Sequence, residues 1–461
     1  MRIMMVAHTF LPQSRGGMEN HINHLRQHLR SRGHEVGVLY RIHAPDRPEF
    51  TLIEEQWEDA PVWKVVHNFS NPMPTLHPYY SRPIEERFAQ VIEDFAPTLI
   101  HFHHLGGGLS TTLPSVARRR GIPTLWTLHD FWPMCFLSSL LTPDGRLCPG
   151  PDQGIRCAEC LWLLHRRAPA SSLLRQRTQG MAPWQVVKSL PWVLWDTFVA
   201  LVLRNSQLPL RQEMIALTAR DEHLRRVLMV PDLLISPSKF LVDTFVEWGI
   251  PASRFRHLPN SVAPALLGHR RPPDTAPHVR LSVGFIGRLY PYKGAHLLAG
   301  AFRQIDPAQA RLRIWGDPPV PDDEGYYHAL KHDVEGAPHI SLEGGFPPDQ
   351  LAQVLGQIDV LVVPSTWYEN NPLVILEAFA MGIPVIAGDV GGMAELVEHE
   401  KNGLLFRTGD REDLAAKLRL LIEQPERLSH YRAHIRAPWS QAEMGAAVER
   451  IYDELSQCRS S

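Results

Sequence analysis

Two acidic and two basic residues in the second half of the chain are the side chains best placed to do chemistry. Glu369 and Glu377 bracket the stretch ENNPLVILE, and Arg288 and Lys293 lie upstream in GRLYPYKG. A guanidinium grips phosphate oxygens through its planar fork, and an ammonium group adds a second point charge. Carboxylates can accept hydrogen bonds from hydroxyl groups. Together these residues suit a ligand that carries both phosphates and hydroxyls, as a sugar nucleotide does; two surface cations are the alternative for Arg288 and Lys293.

The residues around the two acids predict a strand, a loop and a helix, in that order. The run DVLVVPS is typical of a buried strand, and we expect Asn371 to be the N-cap of the following helix and Pro372 its first residue. Glu369 would then lie just before the helix and Glu377 about a turn and a half inside it. Two solvated acids favoured by the helix dipole are the alternative, and it fits Glu369 better because the neighbours of Glu377 are apolar.

The first half of the chain offers a glycine pair and a His-Asp pair near predicted strand ends. Gly16 and Gly17 precede a helical pattern, where backbone N–H groups can approach a phosphate; a simple turn is the alternative. His129 and Asp130 end the stretch TLWTLHD. At the carboxyl end of a strand, such a histidine can hold a substrate hydroxyl or transfer a proton. A buried structural histidine is the alternative.

Two groups of residues are candidates for binding a metal ion. We do not predict a site at His101, His103 and His104, because alternation on a strand sends the first two to one face and the third to the other. Four of the five cysteines fall within 26 residues and end in Cys-Ala-Glu-Cys. They predict a loop folded around a structural Zn²⁺ ion, with free buried thiols or two disulfides as alternatives. These cysteines are Cys135, Cys148, Cys157 and Cys160.

Short aliphatic runs alternate with helical patterns, which predicts an α/β fold of parallel sheets covered by helices. The aperiodic, proline-rich stretch 264–279 predicts a linker between a first domain over 1–263 and a second over 280–436. Two doubly wound sheets in tandem leave a cleft between the carboxyl ends of their strands. The strand candidates are 3–6, 36–40, 99–102, 124–128, 233–236, 281–286, 312–315, 340–342, 360–363, 385–387 and 404–406.

The stretch from about 131 to 230 interrupts this alternation and predicts a helical, cysteine-rich insertion in the first domain. Within it, residues 192–203 are nearly all apolar on a wide face, but Asp196 and the short length exclude a membrane-spanning helix. A basic helix that carries tryptophan can lie in a membrane interface. A helical flap packed on its own domain is the alternative.

Composition limits the partners and the compartment. The chain has 47 Lys and Arg against 49 Asp and Glu, so no basic field attracts nucleic acid. The N-terminal MRIMMVAHTF predicts a first strand rather than a signal sequence, and five cysteines in 461 residues agree with a reducing compartment. We therefore expect a cytoplasmic protein that contacts no nucleic acid, either free or peripheral at the inner face of the membrane.

Several motifs, taken in order, resemble those of the family 4 glycosyltransferases, which are group 1 glycosyl transferases with the GT-B fold. They are GGME from Gly16, LHD ending at Asp130, LPNSV around Asn260, GRLxxxKG from Gly287, the E-x7-E of Glu369 and Glu377, and GGMAELVEHEKNGLLF from Gly391. The resemblance covers almost the whole chain. It implies two doubly wound, Rossmann-like domains that face each other across a cleft, with a C-terminal helix in 437–461 that crosses back to the first domain.

The resemblance also implies a role for each candidate residue. Arg288 and Lys293 bind the donor diphosphate, Glu377 binds the ribose hydroxyls, and the Gly16 and Gly17 amides lie against the phosphates. The residues assigned to catalysis are Glu369, which contacts the donor sugar, His129, which lies beside the reacting sugar, and Asp130. The donor side is completed by Asn371, Leu373 and Val374, and the acceptor side by Glu19 and His103.

One position departs from the family pattern. The family usually has Gly three residues after the first Glu, whereas this chain has Pro372, which cannot donate an amide hydrogen. The amides of Leu373 and Val374 can still serve. This departure affects the expected sugar-binding geometry more than the diphosphate site.

The activity implied is the retaining transfer of a sugar from a UDP- or GDP-linked donor to a glycan or lipid-linked acceptor, in cell-surface polysaccharide synthesis. Such chemistry requires no metal ion or other cofactor. The alternatives are a GT-B nucleotide-sugar epimerase and a non-catalytic sugar-nucleotide-binding subunit, the latter kept open by Pro372. A dehydrogenase is disfavoured because neither half has G-x-G-x-x-G after a first strand.

Overall fold

The computed structural model describes residues 1–14, 16–58, 60–69, 80–152, 154–167, 208–272, 280–318 and 325–457. Within these ranges the strands form two sheets, one in each half of the chain. The first sheet has the order β3-β4-β2-β1-β5-β6-β7-β8 and is parallel except for the antiparallel pair β3 and β4. Its strands are β1 Arg2–Ala7, β2 Glu35–Ile42, β3 Leu52–Trp57, β4 Ala60–Val66, β5 Leu99–Phe102, β6 Thr124–Thr127, β7 Leu233–Ser236 and β8 Phe255–His257.

The second sheet is parallel throughout and has the order β11-β10-β9-β12-β13-β14. Its strands are β9 Leu281–Ile286, β10 Ala310–Trp315, β11 Ile340–Gly344, β12 Val360–Val363, β13 Val385–Gly388 and β14 Gly403–Phe406. Strands β9, β12 and β13 are mostly apolar and almost wholly buried, as expected for a parallel sheet covered by helices, whereas β10 and β11 carry partly exposed residues.

Helices connect the strands and cover the sheets. In the first half they are α1 Gly17–Ser31, α2 Arg82–Phe95, α3 Leu113–Arg119, α4 Ile155–Arg167, α5 Leu208–Leu228, α6 Lys239–Glu247 and α7 Pro264–Leu267. In the second half they are α8 Ala295–Phe302, α9 Tyr326–Val334, α10 Leu351–Leu355, α11 Leu373–Ala380, α12 Gly391–Leu396, α13 Arg411–Glu423, α14 Glu426–His434 and α15 Gln441–Gln457. In the part of the chain that the structure describes, none of these helices combines the length and apolarity needed to cross a membrane.

Both sheets are doubly wound, and each reverses its strand order beside its first strand. In the first sheet the reversal lies between β1 and β5, and in the second between β9 and β12. Ligands of doubly wound sheets bind outside the carboxyl ends of the strands at such a reversal. The loops that follow these four strands are therefore the parts of the fold that position a site.

The predicted α/β architecture is confirmed, with differences at the edges. The sequence patterns missed the hairpin of β3 and β4 and the short edge strand β8. Strands β3 and β8 are only partly buried and lack a clear apolar run. The stretch 264–279 contains α7, whose Leu266 is 5% exposed, and Arg270 donates to the backbone oxygens of Phe379 and Ile435. Residues 273–279, and the amphipathic helix predicted over 192–203, lie outside the described residues.

Helix α15 packs on the first sheet although it follows the second in sequence. Its Met444, Val448 and Tyr452 are buried in the same apolar cluster as Ile3 and Met5 of β1. The chain reaches it through Trp439, whose carbonyl accepts from the amide of Val262 at 2.9 Å. The C-terminal segment therefore ties the two halves together.

Candidate active site

A cavity of about 550 Å³ lies between the carboxyl ends of the two sheets. The first half contributes the loops after β1 and β6, and the second half contributes the loops after β9 and β12 together with the start of α11. The residues that line it include Gly17, His129, Asp130, Arg288, Lys293, Glu369, Asn371, Leu373 and Val374. Gly17 and Val374, 357 positions apart in the sequence, thus face one space.

Glu369 is held by three donors that converge on one carboxylate oxygen. Its Oε1 accepts from the Lys293 Nζ at 2.6 Å, the Trp367 Nε1 at 2.8 Å and the Ser365 hydroxyl at 2.9 Å. The side chain is 10% exposed, and the ammonium group of Lys293 also lies 5.1 Å from the centroid of the Trp367 ring. A partly desolvated ion pair with this many hydrogen bonds is fixed in one geometry. Sequence reasoning missed Ser365 and Trp367, which flank a recognisable acid but carry no motif of their own.

Glycines allow the loop that carries Glu369 to pass close to its neighbours. The amide of Gly392 donates to the Glu369 carbonyl at 2.8 Å, and a Cβ at Gly392 would lie 1.5 Å from the Asn370 carbonyl oxygen. Gly294, directly after Lys293, has φ +76°, and a Cβ there would lie 2.1 Å from the Pro364 carbonyl oxygen. Only glycine fits at these two positions, so the close backbone contacts that the glycines allow hold the loops that carry Lys293 and Glu369.

The start of α11 differs from the predicted one. Pro372 is the N-cap, with φ −64° and ψ 116°, and Leu373 is the first helical residue. Asn371 does not cap the helix because its side-chain oxygen accepts from the Asn260 amide at 3.1 Å instead. As the first two helical residues, Leu373 and Val374 have amides without an intrahelical acceptor, and both residues line the cavity.

Asn370 joins the two halves of the site. Its side-chain amide donates to the His129 carbonyl at 2.9 Å, and its side-chain oxygen accepts from the Ser238 hydroxyl. A second contact lies nearby, where Glu395 accepts from the amides of Lys239 and Phe240 at the start of α6. No motif singled out Asn370, since its partners are 241 and 132 residues away along the chain.

His129 belongs to a group of packed imidazoles. Its Nε2 lies 3.1 Å from the Nδ1 of His103, and that residue is 1% exposed and lies behind His129 rather than in the cavity lining. His101 is held between the Tyr452 hydroxyl and the Thr127 hydroxyl, each at 2.7 Å. The sequence placed His103 on the acceptor side, whereas its contacts are with other histidines.

Burial keeps these imidazoles neutral. It lowers the pKa of His21 to about 4, and it lowers the pKa values of His103 and His129 well below the usual range, with neighbouring histidines adding to the effect. One ligand atom from each of these three residues lies within 4.8 Å of the others, the one such group among the described residues. No sequence motif indicated this group, because His21 is on α1 and the other two residues follow different strands.

Asp130 is turned towards its own domain. Its carboxylate lies 3.4 Å from the His104 Nε2 and accepts from the Trp132 amide at 2.8 Å. Burial acts to raise the pKa of Asp130, but the charge and hydrogen bond of His104, together with the Trp132 amide, hold it below the usual value. Asp130 is therefore an anion that fixes the loop beside His129.

Glu19 and Gly16 form a capping box at the start of α1. The Glu19 carboxylate accepts from the Gly16 amide at 3.1 Å, and Glu19 is 5% exposed. The Gly16 amide, predicted to face phosphates, is thus occupied in this structure. Gly17 lines the cavity, and a Cβ at that position would lie 3.5 Å from the Leu373 Cδ1 across the cleft.

Glu377 lies one helical turn beyond Val374, which lines the cavity. Desolvation by burial raises the pKa of its carboxyl group to about 7. The two acids of the E-x7-E motif therefore differ, because Glu369 is paired with a cation while Glu377 lies in an apolar environment. A ligand with hydroxyl groups would supply hydrogen bonds that the Glu377 carboxylate lacks there.

A second, larger cavity of about 1580 Å³ opens beside the first. Arg288 is exposed and lines both cavities. In the larger one it is joined by Tyr290 and Tyr292, whose rings stack with centroids 5.2 Å apart and an interplanar angle of 8°. The two cavities share Arg288, Tyr290 and Tyr292 in their linings and therefore adjoin at this cation.

Two doubly wound domains that enclose cations, an acid and a histidine between their carboxyl edges define the GT-B class of glycosyltransferases. Solved structures agree on the fold. Sucrose-phosphate synthase from Thermosynechococcus elongatus aligns with a TM-score of 0.63 at 18% identity, over 99% of both chains. Anabaena Alr3699/HepE in complex with UDP and glucose aligns with a TM-score of 0.62 at 17% identity, over 98% of this chain and 100% of that one.

Two family models match the sequence. Residues 15–169 match Glycosyltransferase Family 4, and residues 280–424 match Glycosyl transferases group 1. The chain belongs to glycosyltransferase family 4, as its motifs suggested.

The curated relatives align over part of their length. Sulfoquinovosyl transferase SQD2 of Arabidopsis thaliana is 28% identical over 48% of this chain and 44% of the relative. A GDP-mannose-dependent alpha-(1-6)-phosphatidylinositol monomannoside mannosyltransferase of Mycobacterium tuberculosis is 32% identical over 42% of this chain and 54% of the relative. The chain thus spans about half the length of the curated relatives it matches.

Proposed function

We propose that this protein is a retaining glycosyltransferase that moves a sugar from a nucleotide diphosphate-sugar to a glycan or lipid-linked acceptor in cell-surface polysaccharide synthesis. The observation that carries the proposal is the convergence of Glu369, Lys293, Arg288 and His129 on one cavity between the two sheets. In this set, the cations are available to a diphosphate, and the fixed carboxylate and the neutral imidazole are available to a sugar.

The diphosphate would bind where Lys293 and Arg288 meet the start of α11. Its oxygens would accept from these cations and from the amides of Leu373 and Val374, at the positive end of the helix dipole. As the bond to the sugar breaks, negative charge grows on the leaving diphosphate, and fixed cations stabilise that charge. The proposed chemistry therefore calls for no metal ion.

Donor binding would change the partner of Lys293. Without donor its ammonium group is paired with Glu369 at 2.6 Å. A diphosphate can take over the ammonium group, while the Glu369 carboxylate, still held by Ser365 and Trp367, can accept from sugar hydroxyls. The pair thus keeps both groups in place until the donor arrives.

We also propose that the acceptor hydroxyl attacks from the face that the diphosphate leaves, which retains the anomeric configuration. Of the two carboxylates that line the cavity, Asp130 is engaged with His104, and Glu369 keeps its hydrogen bonds from Ser365 and Trp367 after Lys293 turns to the diphosphate, so we assign neither as a covalent nucleophile. His129 would hold a hydroxyl of the reacting sugar. The lipid-linked acceptor is consistent with a cytoplasmic protein that is peripheral at the inner face of the membrane.

The donor base is left to experiment, because Alr3699/HepE is solved with UDP and the mannosyltransferase relative uses GDP-mannose. The test is nucleotide release from a panel of UDP-, GDP- and ADP-sugars, with and without a membrane lipid extract. We expect release from one donor that requires the extract and is lost in Glu369→Gln. Glu377→Ala should weaken nucleotide binding instead.

Other results would decide against the proposal. Release or rearrangement of the donor without an acceptor would indicate the epimerase. Tight nucleotide binding with no release in any mixture would indicate a binding subunit. Release that is unchanged in Glu369→Gln would remove Glu369 from the reaction.

A further inference from the structure

One wall of the larger cavity is a small hairpin from the cysteine-rich insertion. We call residues 137–147 the cysteine hairpin, because Cys135 and Cys148 flank it. Its two arms meet at an antiparallel bridge between Leu141 and Leu147, and the turn is closed by the Thr142 amide donating to the Arg146 carbonyl at 2.8 Å. The hairpin lines the cavity opposite Arg288, Tyr290 and Asp317. It belongs to neither main sheet, so other contacts must hold it in position.

Four thiols lie at the base of the cysteine hairpin. Cys135 comes just before it and Cys148 directly after it, where the Cys148 amide donates to the Leu140 carbonyl at 2.7 Å. Cys157 and Cys160 are one turn apart on α4 and therefore share a face of that helix. All four are free thiols, and Cys148 and Cys160 are buried. Both arms of the hairpin and a helix thus bring sulfur to one region.

Backbone groups of the loop surround the thiols on the hairpin side. The amides of Leu137, Ser139 and Leu140 donate to the Cys135 sulfur. The Cys148 Sγ lies 3.4 Å from the Gly150 carbonyl oxygen. Loop amides that donate to sulfur suit a thiolate ligand of a metal ion.

Two arginines fix the backbone around the group. Arg220 of α5 donates to the Trp132 carbonyl at 2.6 Å and to the Pro133 carbonyl at 3.2 Å. Arg146 at the hairpin donates to Glu159 of α4 at 2.8 Å. The segments that carry the four sulfurs are therefore held together by contacts other than the thiols.

We propose that Cys135, Cys148, Cys157 and Cys160 bind one structural Zn²⁺ ion, which fixes the cysteine hairpin as a wall of the larger cavity. Four S–H groups would lose their protons to solvent as four Zn–S bonds form. No three of the four sulfur atoms lie within 4.8 Å of one another here, whereas a tetrahedral site with Zn–S of about 2.3 Å places them roughly 3.8 Å apart. Binding therefore requires the thiol side chains to change rotamer and close on the ion.

Metal content of the full chain, purified under reducing conditions and equilibrated with Zn²⁺, tests the site. We expect one zinc per chain that resists dialysis, released when the thiols are titrated with a mercurial reagent. Cys157→Ser/Cys160→Ser should lose the zinc, and Cys458→Ser, which removes the one cysteine outside the group, should keep it. The proposal would be overturned if the wild-type chain bound no zinc, formed two disulfides or showed the visible absorption of an iron–sulfur cluster. These wild-type results are decisive even if the double variant misfolds.

The role as a cavity wall rests on the proposed function and is tested separately. Binding of UDP, GDP and ADP is measured on the zinc-loaded chain and after chelation, with circular dichroism as a check that both states are folded. We expect the dissociation constant of the bound nucleotide to rise about tenfold on zinc removal. Zinc-bound protein whose nucleotide affinity is unchanged by chelation would overturn the wall role alone. Zinc-loaded protein that binds none of the three nucleotides would overturn the proposed function and leave the metal site intact.

Discussion

The two sides of the active-site cavity differ in how they carry charge. The second domain presents an ion pair, in which Lys293 and Glu369 meet at 2.6 Å with two further donors on the carboxylate. The first domain presents buried histidines whose pKa values are lowered by desolvation, among them His103 and His129. One side is therefore built to hold a charged group, and the other is built to stay neutral next to it. A diphosphate leaving group and a sugar hydroxyl would need these two environments.

Acidification should damage the first domain most, and this is the largest effect we expect. The lowered pKa values of His8, His21, His101, His103 and His129 lie below the value near 6.5 of an unfolded histidine. The unfolded chain then binds more protons, so stability present above pH 6.5 is lost as the pH falls. For each of these histidines that stays neutral in the folded chain, the free energy of unfolding should fall by about 2 kcal/mol as the pH is lowered from 6.5 to 5.

Urea unfolding at several pH values measures this loss. His101→Gln should flatten the dependence, whereas His430→Gln, which changes an exposed histidine of α14, should leave it unchanged. An unfolding free energy that is constant between pH 7 and pH 5 would show that the buried histidines are not the acid-sensitive part of the fold.

Removing the cation of the second domain should have the next largest effect. Lys293→Met leaves Glu369 without its ion-pair partner and the leaving diphosphate without one cation. We expect kcat/KM to fall about 100- to 1000-fold, mainly through kcat. Steady-state kinetics with the donor found by nucleotide release measures this, with Lys331→Met on the exposed face of α9 as the control. A kcat that equals that of the control variant would argue against electrostatic stabilisation by Lys293.

A smaller effect should separate the two acids of the E-x7-E motif. Burial raises the pKa of Glu377 to about 7, compared with about 4.5 in the unfolded chain. The protonated Glu377 therefore contributes its whole stabilisation below pH 4.5, and this contribution is lost as the pH rises through 7. Glu377→Gln stays neutral. The stability of this variant relative to wild type should therefore increase by roughly 2 kcal/mol between pH 5 and pH 8. The opposite slope, or none, would place the Glu377 carboxylate in a solvated environment.

The smallest predicted effect concerns the contact between the two sides. Asn370 bonds to the Ser238 hydroxyl and the His129 carbonyl, and each such bond contributes about 1 kcal/mol. Asn370→Ala should raise the KM for the donor a few-fold while leaving the fold intact. A double-mutant cycle with Ser238→Ala measures the coupling, which we expect at about 0.5 to 1 kcal/mol. Strict additivity would show that the bond does not help close the cleft.

The sequence predicted the second-domain side of the cavity better than the first. Lys293, Glu369 and the amides of Leu373 and Val374 come from short motifs at the ends of β9 and β12, where strand, loop and helix signals agree. The N-cap was wrong by one residue because Asn371 finds its partner in Asn260, 111 positions away. For the first-domain side, the sequence placed His129 but did not indicate that His21 and His103 lie against it.

Sequence patterns alone predicted the alternation of strands and helices, the loops in which glycine allows a close backbone contact, and the charged residues at strand ends. These are local properties, set by periodicity and by the backbone conformations that each residue tolerates. Tertiary structure decided which side chains pair, for example that Glu19 caps its own helix, that Asn370 reaches the His129 carbonyl across 241 residues, and that the cysteine hairpin walls the larger cavity. Partners and burial depend on how distant segments pack, and hydrogen bonding and pKa follow from them.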